Sequence, residues 1–471
     1  MRLHKIMAAL LLPLAFLASA GAQELPPPVD EALRRAEIPN YAVGAYVQEV
    51  GGGQVLTGTN WNAPFNPASV MKLLTTNAAL DLLGPTFTWK TQAYADGPLR
   101  GDVLQGDLVI KGSGDPKLVM ESLWLFLRQL RARGIREIRG SLVLDRSAFE
   151  EAVYDPAQFD SDPIKPYNAG PDALLLNYKS IGLRFLPDEA ALKVNVLVDP
   201  PLAGYRVAPP KFALGDCTDW RNRLRLGLDT PGQIRFDGAY AGACGDRTWY
   251  IHPFQMTHVQ YFDAVFRHVW GSLGGTLTGP TRNGAVPPAA RLVAEWESAP
   301  LADIIRDINK FSNNVMARQL LLTLANQQLK LPATPERGAA VIDTWLARKG
   351  IQAPELVVRN GSGLSREERI SALTLGRLLV AAFQAPTMPE FISSMPLAGL
   401  DGTMRQRLNG HSVAGRAHIK TGTLNEVRAI AGYVLAASGR RYAVAFLVNH
   451  ANAPRAQEAQ DAMLQWVYEQ G

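Results

Sequence analysis

The chain has 471 residues, of which 47% are hydrophobic and 19% charged. That is enough apolar material for two or three domains, and it excludes a disordered polymer. The formal net charge is +5, with no basic stripe interleaved with aromatics, so nucleic acid is not an expected partner and an anionic polymer is favoured only weakly.

The first residues read as an export signal. Arg2 and Lys5 make a basic start, Met7 to Leu17 is almost wholly apolar, and Ala18-Ser19-Ala20-Gly21-Ala22 offers cleavage frames ending at Ala20 and Ala22. Loss of residues 1–22 would lower the charge to +3. The rival reading is an uncleaved anchor, but the apolar stretch is shorter than the roughly 20 residues needed to span a bilayer. No later segment is long and apolar enough, so no transmembrane anchor is expected after cleavage. The leader contains no cysteine, so no lipid anchor is implied.

A Pro-rich linker, Pro26-Pro27-Pro28, precedes a short helix at Asp30 to Glu37. Tyr41 to Glu49 alternates like a strand, Gly51-Gly52-Gly53 turns the chain, and Gln54 to Gly58 returns as a second strand. Asn66 and Pro67 suit the N-cap and first position of an apolar helix that runs to about Leu83 and places Ser69 about three positions in. From Thr86 to Pro300 short β-like runs dominate: Trp89–Tyr94, Asp107–Lys111, Ser141–Leu144, Ile181–Phe185, Leu192–Val198 and Gln233–Tyr240. Helical patterns at Leu118–Arg133 and Val259–Leu273 break the series.

Cys217 and Cys244 fall in this region. In an exported chain they suit a disulfide, worth about 3 kcal/mol on the chain-entropy argument; two buried free thiols are the alternative. Neither has a metal-type spacing.

Helical patterns then cover Leu301–Asn309, Asn313–Gln327, Pro335–Lys349 and Thr374–Ala385. A strand edge at His418–Lys420 and two β runs, Val427–Ala436 and Arg441–Asn449, follow, with a Ser438-Gly439 turn between the runs. Ala456 to Glu469 closes as a helix. Two strands near the start and three near the end predict one antiparallel sheet built from both ends of the chain, with helices on both faces. The expected class is α+β, with β-rich inserted domains.

Three short motifs carry chemistry: Ser69-Val70-Met71-Lys72, Ser312-Asn313-Asn314 and Lys420-Thr421-Gly422. S-x-x-K, S-x-N and K-T-G form the signature of penicillin-binding proteins and serine β-lactamases. Taken singly each has a bland reading: an exposed helix lysine, a helix cap, a turn. Together they make a reaction centre. A serine hydroxyl needs a base, and on a helix Lys72 shares a face with Ser69. Burial beside a second cation, Lys420, would lower the Lys72 pKa and free its lone pair. Ser312 would relay a proton between Lys72 and the leaving amine, and Asn314 would hold the substrate's peptide. Lys420, Thr421 and Thr423 would grip a terminal carboxylate along a strand edge. The backbone N–H groups of Ser69 and Thr423 would form the oxyanion hole.

His252, His258 and His268 lack metal-ligand spacing and read as packing or surface residues; no metal or cofactor is expected. His418 reads as a strand position. Lys111-Gly112-Ser113-Gly114-Asp115-Pro116 reads as a turn, since no K-[ST] helix follows it as in a phosphate loop.

The sequence resembles the DacB-type D-alanyl-D-alanine carboxypeptidase/endopeptidase family (penicillin-binding protein 4 type, peptidase family S13). The resemblance rests on Asn66 to Lys72, on Gly106-Asp107-Leu108 with Gly112 to Pro116, and on Asn360-Gly361-Ser362-Gly363-Leu364-Ser365-Arg366, with Asn360 where the family usually has Asp. Leu397 to Thr403 and Lys420 to Leu424 also fit. Ser69 and Ser312 lie 243 residues apart, a gap that the family fills with nested domains. The resemblance implies a penicillin-binding/serine β-lactamase-like transpeptidase fold. Its catalytic domain would span 23–85 and 296–471, and 86–295 would be inserted as two nested domains, the inner one roughly 186–245. It implies a periplasmic enzyme that cuts D-alanyl bonds in peptidoglycan stem peptides through a Ser69 acyl-enzyme and is inhibited by β-lactams. A second copy of the chain is a further candidate partner. Asp162 is the candidate acidic residue for the amino end of a diaminopimelate side chain; a solvated loop carboxylate is the competing reading. The alternatives are a β-lactamase or D-aminopeptidase of the same superfamily, or a catalytically silent wall-binding scaffold.

Overall fold

The computed structural model describes residues 24–230 and 232–471. The expected leader lies outside the described residues.

A five-stranded antiparallel sheet forms the centre. Its order is Ala417–Leu424, Val427–Leu435, Arg441–Asn449, Val43–Glu49 and Val55–Thr59, so the two ends of the chain meet where Val43–Glu49 pairs with Arg441–Asn449. Arg441–Asn449 is buried along almost its whole length, as a strand covered on both faces must be. One face carries Pro27–Arg35 and Gln457–Gln470, whose apolar sides join Val434, Val444 and Phe446 in one core. The opposite face carries the helices Met71–Leu83, Leu301–Phe311, Asn314–Leu329, Pro335–Arg348 and Ala372–Gln384 in a second core.

Two of these helices are interior. Met71 to Leu80 is buried without interruption, and so is Val315 to Ala325. A helix that is apolar on all sides belongs inside, and each Leu or Met so buried contributes about 1.5–3 kcal/mol. Interior helices hold their polar residues rigidly, and these two carry Lys72 of the S-x-x-K motif and Asn314 of the S-x-N motif in their first turns.

Residues between the first helices and Leu301 form four further sheets. One runs Thr281–Asn283, Leu142–Asp145, Asp107–Gly112, Lys90–Asp96, Arg291–Glu297, and a small sheet at Thr276–Leu277 lies beside it in sequence. Two more sheets are built wholly within residues 181–251, where Phe185, Trp220, Phe236 and Tyr240 cluster edge-to-face and stacked. Cys217 and Cys244 are disulfide-bonded there. This settles the alternative that the sequence left open. No helix among the described residues is long and apolar enough to cross a membrane.

Two local expectations need correction. The helix bearing Lys72 begins at Met71, and Ser69 sits ahead of it in a 3-10 turn, Ala68–Val70. Pro67 occupies the cap position of that turn, while the Asn66 side chain accepts the Ala68 N–H at 2.9 Å. Ala68 has φ +46°, a left-handed conformation that ends any α-helical continuity there. A helix of seven residues, Met388–Ser394, was not foreseen.

Candidate active site

Three segments converge on Ser69. The first is its own turn. An Asn66–Asn449 pair holds that turn to the end of the central strand: Asn449 Oδ1 accepts the Asn66 N–H at 2.7 Å, and Asn449 Nδ2 donates to the Asn66 carbonyl at 3.0 Å. The second is the link between two helices. Ser312 is the left-handed C-cap of Leu301–Phe311 (φ +58°), and Asn313 caps Asn314–Leu329 by accepting the Met316 N–H at 3.1 Å. That tight link sets Ser312 Oγ and Asn314 Oδ1 beside the two lysines. The third is the edge strand Ala417–Leu424. A Cβ on Gly422 would stand 2.5 Å from the Pro67 carbonyl and 3.1 Å from the Ser69 nitrogen, so only glycine lets the strand press this close to Ser69.

Lys72 is fully buried, and its Nζ has three neighbours. Ser69 Oγ is at 2.9 Å, Asn314 Oδ1 at 2.5 Å, and the Ser362 carbonyl completes the set. The last two oxygens can only accept. A neutral amine meets them with its two N–H bonds and leaves its lone pair for the one neighbour able to donate, the Ser69 hydroxyl. Electrostatics favour that state. Burial pushes the Lys72 pKa well below its ordinary value and the Lys420 charge pushes it the same way, while Glu368 opposes them.

Lys420 is equally buried. Its Nζ bonds Ser312 Oγ at 2.9 Å and the Thr421 carbonyl at 2.7 Å, and burial lowers its pKa to about 7. Thr421 and Thr423 alternate with Lys420 on the outward side of the edge strand, and the Thr421 hydroxyl donates to Thr403 Oγ1 at 2.7 Å. His418 is partly buried, with Nδ1 lacking a partner among the described residues, as a packed strand position would have it.

Sequence reasoning missed the loop that closes the site from below. Asn360 Oδ1 accepts both the N–H and the hydroxyl of Ser362, and its Nδ2 donates to the Leu364 carbonyl at 3.0 Å, a bond that Asp could not make. Glu368 Oε1 gathers the N–H groups of Arg359, Asn360 and Gly361. The Ser362 carbonyl is thereby aimed at Lys72. The motif Asn360 to Arg366 was the available signal, although nothing in it names a carbonyl as the working atom.

Asp162 stands apart from this cluster. Its half-exposed carboxylate faces Lys165 at 3.5 Å, in a loop that Asp160 organises by accepting from Tyr167 Oη and Asn168 Nδ2. The loop touches the main body where Arg366 lies over the Phe159 ring, 5.4 Å from its centroid.

An antiparallel sheet flanked by helices, with two serines each bonded to a buried lysine at its edge, defines the class of serine hydrolases built on the penicillin-binding and serine β-lactamase fold. The sequence model of the D-Ala-D-Ala carboxypeptidase 3 (S13) family matches residues 27–470, and the chain belongs to that family. It is accordingly a serine-type hydrolase of the D-Ala-D-Ala carboxypeptidase kind. A D-alanyl-D-alanine carboxypeptidase of an Actinomadura species is 29% identical, over 96% of this chain and 85% of its own length. The D-alanyl-D-alanine carboxypeptidase DacB of Haemophilus influenzae is 26% identical, over 86% of this chain and 85% of its own. The crystal structure of penicillin-binding protein 4 (dacB) from Haemophilus influenzae superposes with a TM-score of 0.79 at 23% identity, covering 94% of this chain and 99% of that one. A second structure of that protein, complexed with a β-lactam, superposes at 0.75 and 22% identity, covering 94% of this chain and 100% of that one.

Proposed function

We propose that Ser69 is the nucleophile of a peptidoglycan D,D-peptidase and that Lys72 is its base. The observation that carries this is the Lys72 amine, buried, depressed in pKa and 2.9 Å from Ser69 Oγ. Ser69 Oγ attacks the carbonyl of the penultimate D-Ala while its proton passes to Lys72 Nζ. The oxyanion is met by the backbone N–H groups of Ser69 and Thr423. The C–N bond then breaks, and the proton returns through Ser312 to the leaving amine, which is D-Ala or the amine of a cross-link. Water hydrolyses the ester by the reverse proton path. Lys420, Thr421 and Thr423 hold the terminal carboxylate, and Asn314 holds the peptide. Asp162 is offered to a diaminopimelate amine from the neighbouring loop.

β-Lactams fit the same groove as mimics of the D-Ala-D-Ala backbone, and a β-lactam complex of the Haemophilus influenzae protein supports this. The catalytic unit is assigned to 23–85 and 296–471, with 86–295 inserted and an inner unit near 186–245. A wall substrate and the expected leader support a periplasmic site of action.

The test is chromatography of purified peptidoglycan after digestion, alongside labelling with fluorescent penicillin. Wild-type protein releases D-Ala or resolves cross-links and takes the label. Ser69→Ala does neither, a loss of at least about 10³-fold. Digestion by Ser69→Ala at the wild-type rate refutes the assignment.

A further inference from the structure

The molecule holds a second polar concavity, remote in sequence from the three motifs. It measures about 720 Å³ and is lined by Arg146, Tyr154, Asp172, Lys179, His252 and His258, among others. Arg146 is committed: its guanidinium is bonded to both Asp172 oxygens and reaches Glu151 and Asn283. His252 Nδ1 donates to the Pro163 carbonyl at 3.0 Å, and burial pushes the pKa of His252 down to about 3 and that of His258 to about 4, so both rings are neutral.

Lys179 differs from its neighbours. It is 6% exposed, and its Nζ has no hydrogen-bond or ion-pair partner among the described residues. Burial lowers its pKa to about 8, and the nearby Asp172 charge only partly opposes this; an enclosed ammonium with no bonded partner is costly, yet the chain goes to some length to place it. Asn177, Tyr178 and Lys179 all have positive φ (+46°, +56° and +46°), three successive left-handed residues without a glycine among them. The helix His258–Ser272 also presents its amino end to the cavity through Thr257, His258 and Val259. The Thr257–Gln260 capping box takes the Gln260 N–H, while the first-turn amides of His258 and Val259 have no intrahelical partner.

We propose that this cavity is a second ligand site, separate from the Ser69 groove, which takes the terminal carboxylate of a peptide on Lys179 and the amino end of the helix His258–Ser272. One free ammonium beside Asp145, Glu150 and Glu151 suits a monoanion and disfavours a phosphate dianion. The peptide nature of the ligand rests on the wall-peptidase reading; the anion site does not. The cavity wall is tied to the catalytic body, since Gln319, on the helix that begins with Asn314, bonds both the N–H and the carbonyl of Asp172.

The probe is N-acetyl-L-alanyl-L-alanine, a monoanion with the wrong configuration for a D,D-peptidase, with its C-terminal amide as control. It is titrated calorimetrically into protein already acylated with benzylpenicillin, so that the groove is blocked. Binding in the millimolar range or tighter is expected, absent for the amide and at least tenfold weaker in Lys179→Met. Penicillin labelling and thermal unfolding of Lys179→Met report its folding. In wild-type protein, the peptide should also slow reductive methylation of Lys179, read by mass spectrometry, without slowing that of exposed Lys211. Equal binding by Lys179→Met and wild type, no binding to wild type, or methylation of Lys179 indifferent to the peptide would overturn the proposal. If penicillin fails to acylate, the Ser69 reading fails, and the titration on Ser69→Ala still decides the anion site.

Discussion

The groove and the inserted cavity each bury lysine, and they treat it in opposite ways. In the groove, Lys72 and Lys420 are wholly enclosed, and each Nζ is surrounded by acceptors that fix its orientation. In the cavity, Lys179 shares its walls with charged Arg146 and Asp172 and with two neutral histidines, and its Nζ has no hydrogen-bond or ion-pair partner among the described residues. All three have lowered pKa values, with burial as the leading cause. The difference lies in preorganisation. A base must already stand at its proton before substrate arrives, whereas a binding cation gains by being left unsatisfied until a ligand comes.

The largest expected effect comes from taking the groove lysine away. Lys72→Met should slow acylation by penicillin about 10²–10⁴-fold while the thermal unfolding temperature holds or rises, because a buried amine is exchanged for an apolar chain. Acylation within threefold of wild type would mean that another group is the base.

A smaller effect separates the two groove lysines by pH. In the proposed mechanism Lys72 works unprotonated and Lys420 works charged, so activity needs a pH above the first pKa and below the second. For D-Ala release, kcat/KM should therefore climb from acid and then fall above about pH 7, up to tenfold per unit, as Lys420 loses its proton. A profile flat from pH 6 to 9 contradicts the carboxylate grip. Lys420→Arg, which stays charged, should flatten the alkaline limb.

The smallest effect belongs to the inserted loop. Asp162→Asn should raise KM severalfold for peptides carrying diaminopimelate and leave penicillin acylation unchanged. Equal KM values for both proteins would return Asp162 to the role of a solvated loop carboxylate.

Much of the groove was legible because local rules govern it. Ser69 and Lys72 are three residues apart, Ser312 and Asn314 straddle a cap, and the strands Val427–Leu435 and Arg441–Asn449 announce themselves by the apolar runs Ala429–Leu435 and Tyr442–Val448. What escaped depends on distant contacts or on backbone angles. The Ser362 carbonyl reaches Lys72 across 290 residues, and Glu368 acts through three amides. Pro67 advertised a helix start, yet the positive φ of Ala68 pushed the helix four residues on, to Met71. Lys179 carries no pattern at all, since nothing about Asn-Tyr-Lys foretells three left-handed residues. Met388–Ser394 is too short to show a period.

The pairing of Val43–Glu49 with Arg441–Asn449 has a consequence for biosynthesis. The earliest strand can pair at once with Val55–Thr59, but its other edge stays open until Arg441–Asn449 has been made, and the strand bearing Lys420 cannot join the sheet before then. A chain interrupted between Lys72 and Ala417 therefore carries Ser69 and Lys72 but lacks the strand that bears Lys420. The final 55 residues, from Ala417 on, act as the completion check that stands between synthesis and hydrolysis.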